Sequence, residues 1–267
     1  IAHPLDFVQG DDEPSPALRL GDYHGTPCAG VALAEENGLG VVGVAPGCAF
    51  MPVRVSFQQL DSEWWNIFHQ TGQKAHVISC SWGPPPVWSP LPQSLKDKLH
   101  ELAVSGSPSG NGCVIVFAAH NYNAPLNDPH NTFFEWRGPD DMLGQYRATQ
   151  EPILNGFASH PDVIAVSAST SLNRKAAYSN WGKEISVCAP SSNGHPLDPE
   201  MMLPGLGIWT TDNELESTGF KPGSQFTDNF GGTSSAAPVV AGVAGLVRSA
   251  NHHLRASEVR DIIQDTA

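Results

Sequence analysis

Five short apolar runs constrain this chain more than any other feature: "FMPVRV" (50–55), "AHVISCS" (75–81), "CVIVFAA" (113–119), "DVIAVSA" (162–168) and "ISVCAP" (185–190). Each has the length of one strand and is too apolar for a strand with one face in water, so each is expected to be buried on both faces. Helical patterns lie between some of them, "SEWWNIFHQ" (62–70) and "SLKDKLHELAV" (94–104). Alternation of this kind implies right-handed crossovers and an α/β fold: a doubly wound, mainly parallel twisted sheet with helices on both faces. Such sheets bind ligands beyond the carboxyl ends of their strands, so chemistry is expected just after these runs. The stretch 122–158 lacks clear periodicity, is rich in Pro, Asn and Asp, and reads as a long surface excursion. With no internal repeat visible, the 267 residues are expected to form one domain.

Composition narrows the function classes. The formal net charge of −13 argues against nucleic acid as a partner and suits a soluble protein able to bind cations. A membrane span needs a run of about 18 apolar residues, and none is present. The five cysteines, Cys28, Cys48, Cys80, Cys113 and Cys188, are odd in number and contain no CxxC pair, so at least one is free or paired outside the chain. Ile1 is not a start methionine, and the segment looks cut from something longer.

The stretch "DNFGGTSSAAPVVAGVAGLV" (228–247) carries the sharpest local signal. A helix is expected from about Ser235, because proline is tolerated in the first turn, where its missing N–H is not needed. Alanine and glycine between the valines let neighbouring backbones approach closely, and Gly231 and Gly232 permit a tight turn before the helix. Ser234 then sits at the positive end of the helix dipole. It is either an N-cap or a reactive hydroxyl. A serine becomes a nucleophile only when a base takes its proton, and His24 in "GDYHGTPCAGVALA", at the start of a further helix, is the candidate base. Asn121, closely following "CVIVFAA", offers a side-chain amide for a developing oxyanion or is an ordinary turn residue.

Together these residues resemble a known family. "HGTPCAG" resembles the histidine motif of the subtilases, and "GGTSSAAP" their Gly-Thr-Ser-x-Ala-x-Pro serine motif. "SCSWG" and "AAHN" stand where that family has its substrate-binding strand and its oxyanion asparagine. The resemblance covers nearly the whole chain and is closest to the kexin-like, calcium-dependent branch. It implies a secreted or extracytoplasmic serine endopeptidase acting on polypeptides through an acyl-enzyme, without an organic cofactor. Ser234 would be the nucleophile, His24 the general base and then acid, and Asn121 the oxyanion donor. Ser81, Trp82 and Gly83, with Ala118, Ala119 and His120, would bind substrate, and a propeptide or further domains would lie outside the segment. Cys28 resembles a buried thiol that other members carry near the histidine, so a core role is expected for it. The runner-up is a catalytically inactive subtilase domain that binds peptides in the same groove. An unrelated α/β-hydrolase would need Gly-x-Ser-x-Gly after a strand, which is absent in that context.

The resemblance is broken at three places, and a candidate calcium loop stands beside them. The family's triad aspartate ends a strand shortly before His-Pro, yet "IAHPLD" opens this chain, and Asp6, Asp11, Asp12 and Asp22 all follow His3. The aspartate is therefore expected upstream of Ile1, and the 267-residue piece alone is expected to be nearly inactive. Kexin-like members follow "SWGP" with carboxylates that attract basic side chains, whereas "SWGPPPVWSP" has none; Asp140 or Asp141 would have to supply charge from elsewhere. In "AAHN", His120 stands where the family usually has glycine, and it either narrows the pocket floor or points away. Finally, "DFVQGDDEPSP" resembles a calcium loop with Asp6, Asp11 and Glu13 as ligands, or is simply an acidic solvated loop.

Overall fold

The strand Val114–Ala118 explains why the chain needs helices on two sides. Side chains alternate across a strand, so Val114, Val116 and Ala118 enter one core while Ile115, Phe117 and the following Ala119 enter another. The computed structural model describes residues 1–18, 21–137, 146–198, 201, 203–214 and 218–267. Within them, a four-stranded parallel sheet runs in the order Val187–Pro190, Val163–Ser169, Val114–Ala118 and Val77–Cys80. Val77–Cys80 is therefore an edge of this sheet among the described residues.

Five helices are described: α1 (Gly25–Leu33), α2 (Asp61–Gly72), α3 (Gln93–Ser105), α4 (Thr233–Ala250) and α5 (Ala256–Thr266). From α2 and α3, Trp64, Phe68, Leu95, Leu99 and Leu102 cover one face of the sheet. From α4 and α5, Ala236, Val240, Ala244, Val259 and Ile263 cover the other. The doubly wound arrangement expected from the sequence is thus the one observed. Burying Phe68 or Phe117 contributes about 1.5–3 kcal/mol each, well above the 0–1 kcal/mol of an exposed ion pair. The apolar layers decide the fold. Trp82 is anchored in the α2/α3 layer, its ring 4.5 Å from Trp64, 5.1 Å from Phe117 and 5.2 Å from Phe157. That clamp fixes the segment leaving the edge strand.

Three segments differ from expectation. Of the run 50–55, only Val53–Arg54 is a strand, and it pairs in parallel with Leu5–Asp6 rather than with the central sheet. Arg54 holds this separate ladder, its guanidinium bonded to Asp6 at 3.0 Å and to Asp22 at 2.8 Å. The excursion 122–158 is not loop throughout. Asn127–Asp128 and Trp88–Ser89 flank Ile153–Asn155, and Phe134–Arg137 pairs antiparallel with Tyr146–Thr149. Lastly, α4 begins at Thr233, two residues before the position inferred from its proline.

Candidate active site

The early start of α4 has a chemical consequence. Pro238 now lies in the sixth position of the helix, and it has no N–H to donate to the carbonyl of Ser234 four residues back. A buried carbonyl left without a donor is costly. Here Ser81 Oγ donates to it at 3.1 Å and Cys28 Sγ at 3.6 Å. The peptide of Ser234 is thereby tied to the sheet edge and to α1. Its own hydroxyl makes only a long contact, 3.5 Å to the Ser81 carbonyl, and is loosely held. Ser234 is not the N-cap. Gly232 takes that place with φ +71, a conformation that suits glycine.

His24 is exposed at the N-cap of α1, which packs against α4. Its Nδ1 lies 3.8 Å from Cys28 Sγ, and its ring meets Phe230 edge-on at 6.0 Å. One sulfur atom thus touches both the histidine and the serine peptide. Burial, opposed by the Ser81 hydroxyl, pushes the Cys28 thiol up to about 12, so it stays protonated and remains a donor. Cys28 is partly exposed and lies outside the hydrophobic clusters, so its role is to bridge α1 to the Ser234 peptide.

Asn121 is oriented by the first residue of α4. The N–H and hydroxyl of Thr233 both donate to Asn121 Oδ1, at 2.8 and 3.0 Å. The opposite end of the amide, Nδ2, faces Gly232: a Cβ added there would stand 2.9 Å from it. An amide donor and the positive end of α4 therefore share one small region with Ser234. Thr233 Oγ1 also accepts the backbone N–H of His120 at 2.9 Å, and Asn180 N–H donates to the His120 carbonyl at 2.9 Å. These bonds hold His120 at φ +81, a conformation costing of order 1–3 kcal/mol for a residue with a side chain. Thr233 and Asn180 went unassigned in the sequence, although Thr233 lies in the quoted serine motif.

The substrate-binding residues expected from the sequence divide into two groups. Ser81, Trp82 and Gly83 follow the edge strand, with the Trp82 ring held in the aromatic layer; His120 faces Gly83. Ala118 and Ala119 are 1% and 0% exposed, and their methyl groups belong to the two cores. The hairpin of residues 134–137 and 146–149 adds a wall that the sequence did not signal. Trp136 Nε1 donates to Thr149 Oγ1, and Thr149 Oγ1 donates to Pro86 O, both at 2.9 Å. Trp136 in turn packs edge-on against Tyr122 at 5.4 Å. Asp140 and Asp141 lie outside the described residues.

Comparison with known proteins decides what this arrangement belongs to: the subtilase family matches residues 5–267. The chain is a subtilase. It is 37% identical to the calcium-dependent protease of Nostoc sp. across 99% of its length, while spanning only 38% of that relative. Thermitase of Thermoactinomyces vulgaris is 29% identical, with 98% of this chain and 72% of thermitase covered. In fold, it resembles a serine protease of Aeromonas sobria in complex with its chaperone, with a TM-score of 0.74 at 19% identity over 97% of this chain and 45% of that one. A cold-adapted subtilisin-like proteinase is similar over 100% of this chain and 74% of its own, with a TM-score of 0.66 and 21% identity.

In this subtilase the acidic loop does not assemble as a metal site. Asp6 Oδ1 accepts the N–H groups of Val8 and Gln9 at 2.6 and 3.0 Å, and Oδ2 accepts from Arg54. Burial alone would raise the Asp6 pKa, but the N–H of Gln9, the guanidinium and the N–H of Val8 together hold it below the usual value. Asp11 Oδ1 caps the N–H of Glu13 at 3.0 Å. Among the described residues no group of three or more His, Cys, Asp or Glu side chains converges as metal ligands do. A guanidinium at Asp6 does the neutralising that a calcium ion would do. All five cysteines are free thiols.

Proposed function

We propose that this subtilase is a serine endopeptidase that cleaves polypeptides through an acyl-enzyme. The Ser234 hydroxyl attacks the peptide carbonyl, its proton passes to His24, and the oxyanion takes hydrogen bonds from Asn121 Nδ2 and the Ser234 N–H. His24 then gives the proton to the leaving amine, and a water molecule repeats the sequence to free the acid. With Nδ1 turned to Cys28, Nε2 is assigned to the serine proton. Peptide substrate adds as a strand beside Val77–Cys80, along Ser81–Gly83, a mode set by main-chain pairing.

The observation carrying this reading is the double anchorage of the Ser234 carbonyl, which gathers serine, histidine helix and substrate edge at one point. Asp6 and Asp22 are both engaged by Arg54, so neither is offered as the carboxylate that orients His24. Likeness to the calcium-dependent proteases supports a structural calcium in the full-length protein, held elsewhere than at Asp6. Likeness to subtilisin and thermitase supports an extracytoplasmic location. No helix among the described residues is long and apolar enough to cross a membrane.

Ser234→Ala in the full-length protein is expected to lower kcat by about 10⁶, the cost of losing the nucleophile of such a triad, without lowering Tm. Peptide hydrolysis by the variant at near the wild-type rate would remove Ser234 from the reaction. Peptide binding by a wild type that never hydrolyses would point instead to the inactive, peptide-binding domain.

A further inference from the structure

The sequence left open whether the imidazole of His120 narrows the floor of the site or turns away from it. The ring turns inward. Its Nε2 faces Gly83 so closely that a Cβ placed on Gly83 would overlap it. That nitrogen is buried without a hydrogen bond of good geometry. The other side of the ring is backed by Tyr122, nearly parallel at 6.1 Å, and Tyr122 is backed by Trp136. The Trp136–Thr149–Pro86 bonds close this wall. The backbone of His120 is pinned on both sides, by Thr233 and by Asn180.

A peptide carbonyl held between Ser234 Oγ and Asn121 Nδ2 lies above the ends of two neighbouring strands, Val77–Cys80 and Val114–Ala118. Neighbouring strands are only about 4.8 Å apart, so a slot between their ends exists only where the lining residues are small or diverge. Segments 81–83 and 119–121 leave these two strand ends and face each other there, Gly83 against His120. On one side the lining is Gly83, which leaves space; on the other it is an imidazole that fills it.

We propose that His120 closes this slot, so that the peptide residue preceding the cleaved bond must be small: glycine, alanine or serine. The inference rests on the peptidase reading and gives that site its substrate class. It also agrees with the absence of any carboxylate in residues 81–90, which leaves nothing in that segment to attract a basic side chain.

The test compares two p-nitroanilide peptides identical except for alanine or phenylalanine before the scissile bond, using the full-length protein. Wild type should favour alanine at least about tenfold in kcat/KM, since even one misfit methylene shifts such ratios by about 10–200-fold. His120→Gly should raise kcat/KM for the phenylalanine peptide by about tenfold or more and that for the alanine peptide far less. His120→Ala, which empties the slot but keeps a Cβ at the strained φ, should move the ratio in the same direction. Equal cleavage of both peptides by wild type, or a ratio unmoved in both variants, overturns the proposal. Absence of all hydrolysis defeats the peptidase reading instead. The slot is then read from peptide binding to Ser234→Ala with and without His120→Gly: selective binding of the alanine peptide, relaxed by the second change, upholds it, and equal binding overturns it.

Discussion

Two residues with left-handed backbones flank Thr233 in space, and the chain fills them differently. Gly232 has φ +71 and His120 has φ +81, and each sits beside Asn121. At Gly232 the absence of a side chain is needed twice, for the dihedral and for the space under Asn121 Nδ2. At His120 a bulky ring occupies a position of the same kind and fills the floor. One site minimises strain to keep the Asn121 amide in place. The other tolerates strain, and the gain is a filled slot. The contrast shows that a strained dihedral alone does not dictate glycine; what the missing side chain would touch does.

Of the changes around these two positions, removing the amide between them should have the largest effect. Asn121→Ala is expected to reduce kcat by about 10²–10³, or 2.7–4 kcal/mol of transition-state stabilisation, with little change in KM. Steady-state kinetics showing mainly a KM loss would separate these two positions from the oxyanion. Breaking the glycine side comes next. Gly232→Ala should cost about 1–3 kcal/mol in denaturant unfolding and lower kcat as well, because the new methyl group displaces the amide. An unchanged kcat would mean that Asn121 is not held by this contact.

The smallest effect sharpens the histidine side. His120→Gly should be about 1 kcal/mol more stable than wild type at pH 7.5, because strain is released and an unpaired buried nitrogen is lost. Burial, opposed by the Trp82 backbone, lowers the His120 pKa from 6.5 to about 4. The unfolded chain therefore binds a proton between these values that the folded chain refuses. Its contribution is complete above pH 6.5 and is lost as pH falls toward about 4. The Tm advantage of His120→Gly should widen over that window; a constant difference would mean that the ring ionises freely in the folded protein.

The layers of this fold were legible in the sequence because burial on both faces leaves an apolar run whatever the chain does elsewhere. Ser234, His24 and Asn121 were legible because motifs keep them near the ends of particular elements. What escaped depended on partners distant in sequence. The start of α4 was misplaced because the proline rule assumes an unmet carbonyl, while Ser81, 153 residues away, meets it. Asp6 read as a metal ligand because its partner Arg54 lies 48 residues further on. The wall over Tyr122 gave no periodic signal because it is built from strands of two to four residues.

Pro238 ties the seating of the Ser234 peptide to the completion of folding. A helix formed alone from residues 233–250 would leave the Ser234 carbonyl facing water, with the hydroxyl directed by nothing. Only when the sheet edge and α1 have docked do Ser81 and Cys28 take hold of that oxygen. A half-folded chain lacks the seat in which the Ser234 peptide is held.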